Sequence, residues 1–344
     1  MKHLQSILIS FTVFLSLSVQ IFADFSLNFK NFIQRTYGAQ VLQQLERPDM
    51  GLGLSGSFGG KTFDTDFIRR DPIIFVHGAG QRAGNFIGSY FYFLGKGYTA
   101  AELYSTTYGD GGITPQRYKT LACDDVKQIR GLIQTVAAYT NRTVNIIAFG
   151  EGTPIARKAI LGGSCVDTRD SLGAALTTLV NTFISVAGVG YGKQFCNPQE
   201  GGCNLNNGMY CNSAFMTELN TPATRFEGRF SYYIYSDNDQ VIGQNCCNTT
   251  VTLCSQLKNS NSYSRQSNML HDSILSMTQD IQLAMLSSGG TYNGTLYQYG
   301  YGNNLYGIND PLYNLNGLFG YNGFVNNGIN TGINALNGLN GFLG

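Results

Sequence analysis

The chain lacks an excess of charge of either sign: 22 basic and 21 acidic residues among 344 leave a formal net charge of +1, with no basic run anywhere. Electrostatic capture of a phosphate backbone needs such a run, so nucleic acid is not expected as a partner. Histidine is scarce, with three in all, and no Cys-x-x-Cys pair occurs. Tetrahedral zinc coordination therefore has little to draw on, and neither a metal nor a cofactor is expected. Beyond the amino terminus no stretch approaches the ~20 apolar residues of a membrane-spanning helix, so no membrane span is expected.

What is present begins with Met1-Lys2-His3, the apolar run Ile7 to Phe22 and the small residue Ala23. That pattern reads as a signal peptide over residues 1–23, with an uncleaved signal anchor as the alternative. All eight cysteines (Cys123, Cys165, Cys196, Cys203, Cys211, Cys246, Cys247 and Cys254) follow it. An even number in an exported chain predicts up to four disulfides and a secreted, extracellular protein, although the ~105 possible pairings leave the connectivity open. Asn141-Arg142-Thr143, Asn248-Thr249-Thr250 and Asn293-Gly294-Thr295 are glycosylation acceptor sequences.

Three zones follow the signal. Residues 24–60 form a lead-in that packs on the main domain, with a helix expected around Phe29 to Leu45 and a Gly/Ser-rich stretch from Gly51 to Gly60. Residues 61–288 alternate short β-branched runs with helix-length amphipathic stretches, which predicts an α/β domain with a mainly parallel sheet. Strands are expected at Ile73–Val76, Ala101–Tyr104, Val144–Phe149, Phe183–Val186 and Phe230–Tyr235, a helix at Cys123–Ile133, and a closing helix at Asp272–Leu286. The domain is long enough for one sizeable core. Residues 289–344 are low complexity, built from Gly, Asn, Tyr and Leu. They carry neither helix nor strand period, and read as an inert tail or an adhesive one.

Two strand ends carry the chemistry. Phe75-Val76-His77-Gly78-Ala79-Gly80 runs from a strand into a His-Gly turn whose backbone can approach a ligand closely and offer an N–H to an oxyanion. A purely structural tight turn would read the same way. Ile147-Ala148-Phe149-Gly150-Glu151-Gly152-Thr153-Pro154 is a strand, a tight turn framed by small residues and the start of a helix, the outline of a nucleophile elbow.

With Pro154 to Gly163, the segment Ala101-Glu102-Leu103-Tyr104 and Thr107-Tyr108-Gly109-Asp110-Gly111-Gly112, these motifs make residues 24 to 288 similar to the secreted class 2 lipases, a family expanded in nematodes. The resemblance implies an α/β-hydrolase fold and hydrolysis of lipid esters by serine, acid and histidine in that order. It assigns the acid to Asp239, with Asp237 in reserve, and the histidine to His271. Ala79 and Glu151 would supply the oxyanion-hole amides.

The elbow frame puts Gly150 where the serine belongs, and glycine has no side chain to attack an ester. Glu151 and Thr153 are poor substitutes by their places in the frame. The Glu151 carboxylate would also oppose an oxyanion unless it points to solvent. The expectation is a lipase-like pseudoenzyme holding a lipid or ester ligand in an apolar pocket. The alternatives are a weak esterase in which His271 and Asp239 activate water, and an extracellular scaffold acting through the tail. Oligomeric state is not readable from the sequence.

Overall fold

The described residues form nine strands, the central ones rich in β-branched and aromatic residues: β1 (Ser57–Phe58), β2 (Ile73–Val76), β3 (Leu103–Thr106), β4 (Val144–Phe149), β5 (Gly163–Ser164), β6 (Ser171–Gly173), β7 (Val180–Val186), β8 (Phe230–Ser236) and β9 (Ser262–Gln266). This computed structural model describes residues 24–51, 55–247 and 252–292, all within one compact unit. The expected signal peptide, the Asn248 and Asn293 sequons and all but the first four residues of the tail fall outside the described residues. Seven strands form one sheet in the order β1-β3-β2-β4-β7-β8-β9, while β5 and β6 pair separately. Every neighbour in the large sheet is parallel except β1 against β3.

Helices cover both faces, which a parallel sheet requires because its strands are buried on both sides. They are α1 (Leu27–Tyr37), α2 (Ala39–Glu46), α3 (Ile87–Gly95), α4 (Cys123–Thr140), α5 (Gly152–Leu161), α6 (Ala214–Asn220), α7 (His271–Met277) and α8 (Gln279–Ser287). Alternate residues of β2 divide between two cores. Ile74 and Val76 pack with Phe29, Ile129, Ile133 and Ile155, whereas Ile73 and Phe75 pack with Phe86, Phe93, Ile274 and Ile281.

The order of strands decides where a site can form. From β2 the chain steps one way to β3, then returns across β2 to β4 and proceeds the other way to β7, β8 and β9. The connections therefore diverge between β2 and β4, opening a crevice outside the carboxyl ends of these two strands, where open α/β sheets bind ligands. The His77 turn and the Gly150 elbow both lie there. This architecture is the α/β-hydrolase arrangement.

The strand expected at Phe183–Val186 starts earlier, at Val180, and the helix expected at Cys123–Ile133 runs on to Thr140; three further elements differ for local reasons. The helix expected over Phe29 to Leu45 is two helices meeting at Gly38, whose φ of +92° is incompatible with a continuous helix. The closing helix is likewise split, at Thr278. The strand expected from Ala101 starts at Leu103, because Thr99 and Glu102 form a capping box around a short 3₁₀ turn. Strand β9, of sequence Ser-Tyr-Ser-Arg-Gln, was not anticipated: an edge strand needs no apolar run.

Four disulfides join Cys123 to Cys165, Cys196 to Cys203, Cys211 to Cys247 and Cys246 to Cys254. Asp167 approaches the first pair at a spacing suited to a metal, but the two sulfurs are bonded to each other. Among the described residues no helix is long and apolar enough to cross a membrane.

Candidate active site

The chain leaves β4 at Phe149, turns at Gly150 and enters α5 at Gly152. Gly150 has φ +54°, the left-handed region that strains any residue with a side chain. Its N–H donates to Val186 O at 3.1 Å, and its carbonyl accepts from Thr153 N–H at 3.2 Å and Val189 N–H at 3.1 Å. The turn is thus pinned to β7 and to the new helix. Gly152 is needed for a different reason, since a Cβ there would lie 2.3 Å from His77 O and 2.7 Å from Val76 O. The absence of a side chain lets α5 press against the β2 turn.

The β2 turn is held by His77 itself. Its ring stacks on Tyr108 with centroids 4.1 Å apart, Nε2 accepts from Tyr108 N–H at 3.0 Å, and Nδ1 lies 2.8 Å from Gly78 O. Tyr108 returns a hydrogen bond from its hydroxyl to His77 O at 2.8 Å. The neutral ring, with its proton on Nδ1, satisfies both partners. Burial, which disfavours the charged form, pushes the His77 pKa down to about 4 against a weaker upward pull from the Gly78 hydrogen bond; Lys119 and Arg47 nearby add to the lowering.

The other histidine reaches the elbow from the far end of the sheet. His271 opens α7, and its N–H donates to Gln240 Oε1 at 3.1 Å. Its Nδ1 lies 2.9 and 3.1 Å from the two carboxylate oxygens of Asp239. Asp239 sits in the loop after β8, where Oδ1 also accepts from Val241 N–H and Ile242 N–H, each at 2.9 Å. Asp237 turns the other way and pairs with exposed Arg265 at 2.9 Å. The His271 ring packs against Phe149, 4.7 Å between centroids, and its Nε2 faces the elbow. A Cβ built on Gly150 would lie 3.3 Å from that Nε2. The structure therefore brings Gly150, Asp239 and His271 together in the arrangement in which a nucleophile, a base and an orienting acid would work, with no side chain at Gly150 to face the histidine.

Ala79 and Glu151 also meet, but not as two open amides. The Glu151 side chain turns inward, only 4% exposed, and Oε2 accepts from Ala79 N–H at 2.8 Å. Oε1 takes a hydrogen bond from Gln116 Nε2 at 3.1 Å and an ion pair from Lys193 Nζ at 3.3 Å. A carboxylate thus occupies one of the two expected oxyanion donors. Thr153 is sealed beneath the elbow, with its hydroxyl 3.0 Å from Ser185 Oγ. Sequence reasoning missed Gln116 and Lys193 because the first opens a three-residue 3₁₀ turn and the second lies in an irregular loop, neither with a periodicity to say which way it faces. A hollow of about 370 Å³ lined by Gln134, Ala137, Asn141 and Leu179 lies at the opposite end of β4 and takes no part.

A solved structure of Aspergillus fumigatus lipase B aligns with 62% of this chain and 48% of its own, at 16% identity and a TM-score of 0.42, so the chain spans about half of that protein. A Bacillus licheniformis lipase in its mature form aligns with 67% of this chain and 97% of its own, at 12% identity and 0.47. A Paleococcus ferrophilus monoacylglycerol lipase aligns with 68% and 96%, at 10% identity and 0.42. These likenesses are too distant to carry an argument. No curated protein matches the sequence. The family model described as "Lipase (class 2)" matches residues 70–284, which is more than half of the chain and takes in both strand-end turns, Asp239 and His271. The protein is a member of the class 2 lipase family.

Proposed function

We propose that this protein is exported and is a lipase-like pseudoenzyme, keeping a lipid-binding site at the β2/β4 crevice without turning over esters. The observation that carries the reading is Gly150, whose missing side chain leaves His271 Nε2 facing backbone at the point where an attacking oxygen would stand. Removing a triad nucleophile leaves at most the ~10³ to 10⁴-fold acceleration over water that an oxyanion hole and binding supply. Here Glu151 lowers even that remainder, since its carboxylate occupies the Ala79 N–H and would repel a developing oxyanion. His271 and Asp239 then act as a fixed hydrogen-bonding wall of the site. Four disulfides support export to an oxidising compartment; recovery from the culture medium of a chain starting near residue 24 checks it.

Chromogenic butyrate and laurate esters test the lack of turnover. The native protein is expected to match the buffer blank. Gly150→Ser alone gains little, Gly150→Ser/Glu151→Ala gains hydrolysis, and adding His271→Ala to that pair removes it. The second reading, a weak esterase using activated water, is favoured by one observation: His271 Nε2 has no hydrogen-bond partner among the described residues, so a water could be held there. Hydrolysis by the native protein that His271→Ala abolishes would establish that reading and sink the pseudoenzyme.

A further inference from the structure

A buried histidine with one nitrogen satisfied and the other bare asks for a complementary group. The His271 ring is 5% exposed, its Nδ1 is held by Asp239, and among the described residues Nε2 is unpartnered. With the Nδ1 proton donated to Asp239, Nε2 of the neutral ring is a lone-pair acceptor. In front of it is the volume of the missing side chain at Gly150. An atom at the Cβ position would lie 3.3 Å from Nε2, 3.6 Å from Cε1 and 3.8 Å from Gly78 Cα, the nearest neighbours there. A ligand oxygen cannot sit at that point, which is a bond length from Gly150 Cα, but one resting in contact with Cα at about 3.3 Å can still lie at hydrogen-bond distance from Nε2.

The adjoining wall has the opposite character. Of the donors that would welcome an anion, Ala79 N–H, Gln116 Nε2 and Lys193 Nζ are engaged by the Glu151 carboxylate, and the remaining amide is the N–H of the residue that carries that charge. The site thus offers one acceptor without a donor, beside an anion seat that already holds an anion. A carboxylate ligand would bring only acceptors to Nε2 and a second negative charge to Glu151. An ester or ether brings acceptors alone. A hydroxyl brings the one donor that is lacking.

We infer that the crevice binds a neutral lipid alcohol, an alkyl chain whose terminal hydroxyl rests against Gly150 on the side where a side chain would project and donates to His271 Nε2, with Glu151 excluding fatty-acid anions. The inference rests on the proposed function in taking the Gly150 space as a ligand seat. Ligands lacking the donor leave a buried acceptor unpaired, which weakens binding about tenfold or more.

The test is titration of the purified, disulfide-bonded protein with 1-dodecanol, methyl dodecyl ether and dodecanoate by calorimetry below their aggregation limits. Dodecanol is expected to bind at least about tenfold more tightly than the ether or the carboxylate. Gly150→Ser, whose own hydroxyl would satisfy Nε2, should erase the preference for alcohol over ether. Glu151→Gln should narrow the gap between alcohol and carboxylate about tenfold, and serves independently should Gly150→Ser misfold. Equal affinity for alcohol and ether, tighter binding of dodecanoate, or no saturable binding of dodecanol overturns the inference. Ester hydrolysis, measured on the same samples, is a separate outcome: turnover by the native protein sinks the pseudoenzyme reading, whichever ligand the titration prefers.

Discussion

The two histidines beside the crevice are both buried, yet they belong to regions of opposite kind. His77 has a partner on each ring nitrogen and a stacked tyrosine on its face. The region around it is closed in the same way along α5, where fully buried Arg157 bonds Glu227 at 2.9 Å and the carbonyls of Gly190 and Leu219. His271 is held on one side only and faces a glycine. Closed polar regions specify structure because any removal leaves a buried group unpaired. An open valence in an otherwise satisfied network marks where something from outside belongs.

That contrast can be broken by substitution, and the largest effect should come from the closed region. Arg157→Ala would strand the Glu227 carboxylate, 1% exposed, without its cation, and is expected to cost about 3–5 kcal/mol of stability in urea unfolding. A loss under 1 kcal/mol would show that water reaches the site and that the region is not closed.

Acid should open the His77 turn next. The folded pKa of about 4 lies below the ordinary value of 6.5, so between these limits the unfolded chain binds a proton that the folded chain refuses. Stability from this group is fully present above pH 6.5, declines as pH falls, and is lost by about pH 4. The 2.5-unit difference amounts to about 3 kcal/mol. The difference in unfolding free energy between pH 7 and pH 4 should be larger for the native protein than for His77→Gln by that amount. Equal differences would mean that His77 does not titrate as its burial requires.

In the open region the smallest stability effect is expected. Gly150→Ser places a side chain at φ +54° and 3.3 Å from Nε2, a strain of about 1–2 kcal/mol that thermal unfolding would register. A cost near that of Arg157→Ala would mean that the elbow is as tightly closed as the rest of α5.

Much of this was legible in the residues. Ile73–Val76 and, apart from Asn145, Val144–Phe149 are apolar at consecutive positions and had to be strands buried on both faces; each occupies those bounds in the sheet. The elbow could be read because its constraints are local, a sharp turn and a close helix approach, and both select small residues at fixed spacing. The direction of Glu151 could not, since an acidic residue at a helix start is ordinarily solvated and nothing near it in the chain announces Gln116 or Lys193. Strand β9 was invisible because its alternation is between polar residues.

By itself the sequence determined the family, the α/β alternation and the presence of glycine at residue 150, because periodicity and turn chemistry act over a few residues. Only the tertiary structure decided that Asp239 rather than Asp237 meets His271, that Glu151 fills the Ala79 amide, and which cysteines pair. Those choices join residues tens of positions apart, and they are made by the strand order, which carries the loops after β2, β4 and β8 to the same edge of one sheet.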